Sequence, residues 1–244
     1  MTAIQHGRSL RPRQPSRRIR GSRRSGAAYT PRVRTIAGAA GLLLGAVVLF
    51  GFRHPIELRL LRHESVPAPL VSKEPVQEAD GKGPFEFRAG RRRYRVVPRF
   101  RWDESGRVLS ERPYRLATAA VLIPHDLVLG WGPVVLPPYA GRIHFTQYAR
   151  FYMWGTSDRS LDRQTIATHT ANTHVIPSDD RLRRALACVA RGDDVRLEGW
   201  LVDVEGIDEP SFRWATSTSR EDEGPGGCET VFLKRLTIGR RVYE

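Results

Sequence analysis

The chain has 244 residues, 40% apolar and 9% aromatic, enough for a sizeable core and too much for a wholly disordered polypeptide. Its net charge of +14 suggests by itself a nucleic-acid or anionic-lipid partner. That sum is uneven: ten arginines (8, 11, 13, 17, 18, 20, 23, 24, 32 and 34) and no acid precede Ile36, and the remainder carries 30 bases against 26 acids, or +4.

Residues 1–34 therefore read as an Arg-rich tail, without apolar periodicity and expected to be disordered. Near an anionic leaflet each of its bases contributes about 1 kcal/mol of attraction, so anionic lipid is the expected partner of the tail. It carries no base-reading motif, which disfavours nucleic acid. Residues 35–52 (TIAGAAGLLLGAVVLFGF) hold no charge and, as a helix, extend about 27 Å, close to a bilayer core. A single transmembrane helix is the expectation. No small-x-small cleavage site follows Phe52, which argues against a cleaved signal peptide. The excess of bases before the span places the N-terminus in the cytoplasm and the rest outside, in the periplasm if this Arg-rich, Lys-poor chain belongs to a bacterial inner (cell) membrane. Gly41 and Gly45 have GxxxG spacing and offer a face for self-association, although glycine is common in membrane helices.

Residues 53–83 turn Pro-rich and read as a juxtamembrane tether. The outer domain is taken as 84–244. Tyr94, Val96, Phe100 and Trp102 alternate as a strand, Asp103–Gly106 has turn composition, and Val108, Leu109 and Tyr114 suggest a return strand, hence a hairpin. Seven arginines and no acid lie between Arg88 and Arg101, interleaved with aromatics; Arg91, Arg92 and Arg93 are candidate binding residues on that basis. Two plainer readings are a charged outward strand face and a match to the acidic segment 193–229, with eleven acids against three bases.

Runs 117–123 and 127–131 suggest buried strands around the corner Pro124-His125-Asp126, and 145–154 suggests an aromatic strand. Trp131, Tyr148, Phe151 and Trp154 are candidates for a groove, although aromatics at this density are more often core. A helix is expected near 179–191, capped by Ser178, with Leu182, Ala185, Leu186 and Val189 on one face and Gly192 at its end. In 193–206 Val195, Leu197 and Leu201 share one face, Trp200, Val202 and Val204 the other, and Gly199 stands where a bulge or barrel bend is wanted. Strands are expected at 211–217 and 229–238.

Cys188 and Cys228, facing an oxidising compartment, suggest one disulfide closing a loop of about 40 residues; two free buried thiols are the next reading. A third makes Cys228 a nucleophile, with Gly226 and Gly227 giving backbone room and His174 as base. Ser217, in the run 216–219, is a further candidate nucleophile without a G-x-S-x-G context. His169 and His174 lack the additional ligands of a metal site, and neither metal nor cofactor is expected.

The motifs GWGP (130–133), NTHVIP (172–177), RGDDVRLEGWLVDVEG (191–206) and TSTSREDEGPGGCE (216–229) resemble those of poorly characterised bacterial membrane-anchored proteins with a mostly β outer domain. The resemblance covers about the last two thirds of the chain and implies no activity. The stretch 192–204 also looks like a strand of an OB-type barrel, a likeness of fold alone.

The expected fold is mainly β (α+β): a curved antiparallel sheet or small OB-like barrel with one helix, behind an N-terminal membrane span. The leading expectation of function is a membrane-anchored binding or scaffold module with a protein partner or self-association. Its rival is a hydrolase or transferase using His174 with Cys228 or Ser217, which requires those side chains within hydrogen-bond reach beside an open cleft.

Overall fold

The computed structural model describes residues 64–116, 118–219 and 227–244. The arginine tail, the segment 35–52 with Gly41 and Gly45, and residues 53–63 lie outside the described residues. Among the described residues no helix is long and apolar enough to cross a membrane.

The protein is mainly β. The strands are β1 (Glu64–Ser65), β2 (Val76–Glu78), β3 (Phe85–Ala89), β4 (Arg92–Pro113), β5 (His125–Gly130), β6 (His144–Tyr148) and β7 (Phe151–Gly155). Helix α1 (Arg163–Thr168) leads into β8 (Thr170–Pro177), and α2 (Asp180–Leu186) into β9 (Asp194–Gly206), β10 (Arg213–Trp214), β11 (Glu229–Ile238) and β12 (Arg241–Tyr243). Strand β4 runs antiparallel to β5 and β9, β5 antiparallel to β8, β8 parallel to β11, and β11 antiparallel to β9. The hydrogen bonding thus returns to its starting strand around a curved sheet. Strands β6 and β7 form a separate two-stranded ribbon.

The hairpin expected at 103–106 is absent; β4 runs through it for 22 residues. The polar residues that resembled a turn are instead partnered across the sheet. Arg196 donates to Asp103 from Nε at 2.7 Å and from a terminal nitrogen at 2.5 Å, while Glu104 turns inward and accepts from Trp102 Nε1 (3.2 Å) and Thr173 Oγ1 (3.3 Å). At Gly106 a β-carbon would lie 3.1 Å from Leu129 Cβ, so the glycine serves the close approach of β5. Gly199 has a similar role: a β-carbon there would lie 2.0 Å from the Phe232 carbonyl oxygen, and the bulge sits in the partner strand between Leu233 and Arg235.

The two faces of the sheet bury different cores. Leu127, Leu129, Val175, Val195, Leu197, Leu233 and Leu236 pack with Leu182, Ala185 and Leu186 of α2. Tyr94, Val96, Leu122, Ile123, Ile176, Val202, Val204 and Phe232 form the other core. Helix α2 is capped by Asp179, whose carboxylate accepts from Leu182 N at 2.8 Å, rather than by Ser178, and it stops at Leu186, short of the expected 191. Helix α1 was not foreseen.

Three further expectations are corrected. Thr118–Val121 is a 3-10 turn, not a strand. The segment 145–154 is the β6–β7 hairpin, turning at Ala149 and Arg150 with φ of 49° and 73°. Part of the supposed tether is built into the domain, since β1 pairs with β12, β2 pairs with β4, and Gly132 N donates to Val71 O at 2.9 Å. The basic and acidic segments meet each other: Arg92 pairs with Glu209, Arg93 with Asp208, Arg95 with Glu205 and Arg99 with Asp203. Arg92 and Arg93, candidates for ligand binding, are thereby occupied within the domain, and Arg91 is exposed at the same turn.

Candidate active site around Cys228

Side chains alternate along β8, so His174, Asn172 and Ile176 share one face while Thr173 and Val175 share the other. In the antiparallel β5–β8 pair, Asp126 lies directly opposite His174. The pairing brings His174 Nδ1 to 2.8 Å from Asp126 Oδ1, as a donor to the carboxylate. Both side chains are buried. On its other side β8 is parallel to β11, with Thr230 opposite His174, and Cys228 immediately precedes β11. The Cys228 sulfur lies on the same side of β8 as His174, 3.5 Å from Asn172 Nδ2 and 3.9 Å from the Arg150 carbonyl oxygen.

Electrostatics follow from those two neighbours. Burial pulls the His174 pKa down, but the hydrogen bonds to Asp126 and Cys228 outweigh it and hold the value at about 9. The imidazolium is the favoured form at neutral pH. The edge of Trp214 meets the His174 ring at 5.0 Å and 82° between planes, closing its exposed side.

Asp126 is also held by Arg150, which donates to Asp126 Oδ1 at 2.7 Å and to the Ile123 carbonyl at 3.0 Å. Its guanidinium lies over the Tyr114 ring at 3.5 Å. Arg150 comes from the hairpin turn with positive φ, a conformation costly for two consecutive non-glycine residues, about 1–2 kcal/mol each. The buried ion pair anchors that turn.

A second chain of hydrogen bonds ends at the sulfur. Asn172 Nδ2 donates to the Arg150 carbonyl at 3.0 Å and lies 3.5 Å from Cys228 Sγ; Asn172 Oδ1 accepts from Gln147 Nε2 at 3.0 Å; Gln147 Oε1 accepts from Ser110 Oγ at 2.9 Å. Asn172 is fully buried and its amide orientation is fixed by this relay. On the opposite face of β11, Glu229 is buried, and its Oε2 has no hydrogen-bond partner among the described residues. Burial, with neighbouring Glu104 adding to it, raises the Glu229 pKa well above the usual carboxylate range.

Cys228 lies on the wall of a cleft of about 370 Å³. Trp131, Phe151, Met153 and Trp154 supply apolar wall, Arg163 lies over the Trp154 ring at 4.5 Å, and Tyr152, Thr170, Ser219 and Gly227 supply further polar surface. Trp131, Phe151 and Trp154 therefore lie where a groove was expected. Tyr148, the fourth groove candidate, is 72% exposed and outside the cleft lining.

The disulfide is not formed: Cys188 and Cys228 are both free and buried. Cys188 follows α2 on the Val175 side of β8, donating to the Arg184 carbonyl at 3.3 Å, whereas Cys228 is on the His174 side. The Ser217 hydroxyl donates to the Ser219 carbonyl at 2.7 Å and accepts from Ser219 N at 3.0 Å, closing a turn beside Cys228. His169 bonds to the Thr165 carbonyl through Nδ1 at 2.9 Å and lies 3.2 Å from Glu74 through Nε2. Among the described residues no group of three or more His, Cys, Asp or Glu side chains is arranged to hold a metal ion.

Asp126, Asn172 and Arg150 were not foreseen. The available signal was a lone acid between two apolar runs and an Asn two positions before the histidine, on one face of a strand. No protein-family model matches the chain, and neither a curated protein nor a solved structure matches it.

Proposed function

We propose that the chain is a thiol-dependent acyl hydrolase or transferase in which Cys228 is the nucleophile, His174 the proton carrier and Asp126 the group that orients it. One observation carries this reading: a buried imidazole held by a carboxylate lies on the same side of β8 as the only thiol on the wall of the cleft among the described residues. A purely structural cysteine needs neither an ionisable partner nor access to a cleft.

In the proposed reaction the proton of the pair is on His174 at the moment sulfur attacks. Sulfur attacks the acyl carbonyl carbon, forming a C–S bond, while the carbonyl π electrons move to oxygen. When the carbonyl re-forms, the leaving group departs with its bonding pair and takes the His174 proton. A thioester remains on Cys228. Water, or a second acceptor, then attacks that carbonyl as neutral His174 removes its proton, and sulfur departs with the C–S pair, restoring the thiolate and imidazolium. Asp126 accepts from His174 Nδ1 throughout and so fixes the orientation of the ring. Asn172 positions the thiol.

The order of the closed strand circuit, with its single parallel pair and α2 between β8 and β9, supports a small OB-like barrel; the analogy extends to architecture and assigns no ligand. Sequence supports an extracytoplasmic domain on a single-pass anchor, with its basic tail against anionic lipid.

The test is alkylation of the folded full-length chain by iodoacetamide, followed by peptide mass mapping. Cys228 is expected to react, and Cys188 to remain unlabelled until unfolding. His174→Asn should slow Cys228 alkylation at pH 7 by at least about tenfold. Equal reactivity of the two cysteines, or no change in the His174 variant, overturns the assignment.

A further inference from the structure

Among the described residues one cationic side chain, Arg163, lines the Cys228 cleft. It is exposed, and its guanidinium carbon lies 4.5 Å from the centroid of the Trp154 ring, which belongs to the same wall. Contact through the face of a ring leaves the N–H donors in the guanidinium plane unused, and no carboxylate among the described residues takes them up. The acids close to it in sequence are committed elsewhere. Asp162 accepts from Thr165 N and Oγ1, both at 2.7 Å, and Asp158 accepts from Arg142 at 2.7 Å. The one acid among the lining residues is Glu229, which is buried; burial first, and then Glu104, raise its pKa well above the usual carboxylate range, so its neutral form is favoured and it does not cancel the arginine. By contrast, Arg92, Arg93, Arg95 and Arg99 on β4 each meet an acid of the same domain. Arg163 is thus a positive charge fixed on the wall of the cleft and left open to a ligand.

We infer that the acyl donor processed at Cys228 is an anion, carrying besides its reacting carbonyl a free carboxylate that pairs with Arg163. The inference rests on the nucleophile assigned above and names the substrate class of that site. The planar guanidinium matches a carboxylate with two parallel N–H donors, and Trp154 beneath it restricts the orientations it must lose on binding. A single arginine balances the single charge of a carboxylate, whereas a dianionic phosphate monoester brings two charges to a wall that supplies one. Arg163 thereby acts on which substrate is held and leaves the proton transfers to His174.

The experiment uses the full-length chain in nanodiscs, with mono-p-nitrophenyl esters of the linear dicarboxylic acids from adipate to azelate. Each is compared with the same ester whose far carboxylate is methylated, and acylation of Cys228 is followed by intact mass. At the best chain length the free acid should exceed its methyl ester at least tenfold in kcat/KM at low salt, mainly through KM, as expected for a charge-assisted pair. Arg163→Gln should bring that ratio to near unity, and Arg163→Lys should restore part of it. In the parent protein the ratio should fall several-fold as salt is raised to about 0.5 M, a measurement that needs no variant to fold. A ratio near unity at every length in active protein, or one that survives Arg163→Gln, overturns the inference. If no ester acylates Cys228, the nucleophile assignment fails and the anion site is judged separately, by tryptophan fluorescence during titration with adipate and azelate. In that event a saturable change, weakened at least tenfold by Arg163→Gln, supports the site; absence of a saturable change that depends on Arg163 overturns it.

Discussion

The two sides of β8 differ in the groups that they bury. On the Val175 side, α2 and the sheet enclose leucine, valine and Cys188, and the thiol there does little more than fill space and donate to a carbonyl one helical turn back. On the His174 side, Asp126, Asn172 and Gln147 are buried together beside a partly exposed Arg150, and the second thiol faces a cleft. An apolar core is the cheaper way to stabilise a sheet, because every buried polar group needs a partner and every buried charge an opposite one. Two buried thiols in one small domain can thus have opposite characters, and burial alone does not distinguish them.

The sharpest way to break this contrast is Asp126→Asn. It removes the carboxylate shared by His174 and Arg150 and should lower the proposed acyl transfer by about 10²–10⁴-fold. It should also destabilise the fold by about 2–3 kcal/mol in urea titration, because the largely covered Arg150 loses its carboxylate partner. A variant with intact rate would refute the orienting role of the carboxylate.

A smaller effect concerns pH. The folded pKa of His174, about 9, lies above the ordinary 6.5, so its protonated form contributes stability that is complete below about pH 6.5 and lost as pH rises through about 9. The stability difference between the parent and His174→Asn should shrink across that window, by at most about 1.4 kcal/mol per pH unit. Urea midpoints measured from pH 6 to 10 would show it, and a constant difference would contradict it. Cys188→Ala should have the smallest effect, costing about 1 kcal/mol of stability and leaving Cys228 alkylation unchanged.

Much of the β-rich domain was legible in local pattern. Strand β9, with its two apolar faces, and β11 lie where alternation placed them, and the helix after Pro177 was recognised from its acidic start and apolar stripe. Local composition failed at Asp103–Gly106, because a turn-like tetrapeptide is a good strand when Arg196 meets its aspartate and a neighbouring backbone needs its glycine. It failed again at Ala149–Arg150, where neither residue announces a hairpin and the turn is held by an ion pair to Asp126.

The sequence by itself determined the division between an Arg-rich, uncharged-span N-terminal part and a nearly balanced domain, the β character of that domain, and His174 with Cys228 among the residues worth watching. Only the tertiary structure decided that His174 is held by Asp126, that Cys228 lies on its side of β8 and Cys188 on the other, and that the Ser217 hydroxyl closes a turn with Ser219. Period-two alternation fixes which side chains share a face of one strand. Which strands lie beside it, and in what register, depends on the packing of the whole sheet; here it brings together Asp126 and His174, 48 residues apart, with Cys228 from a third segment.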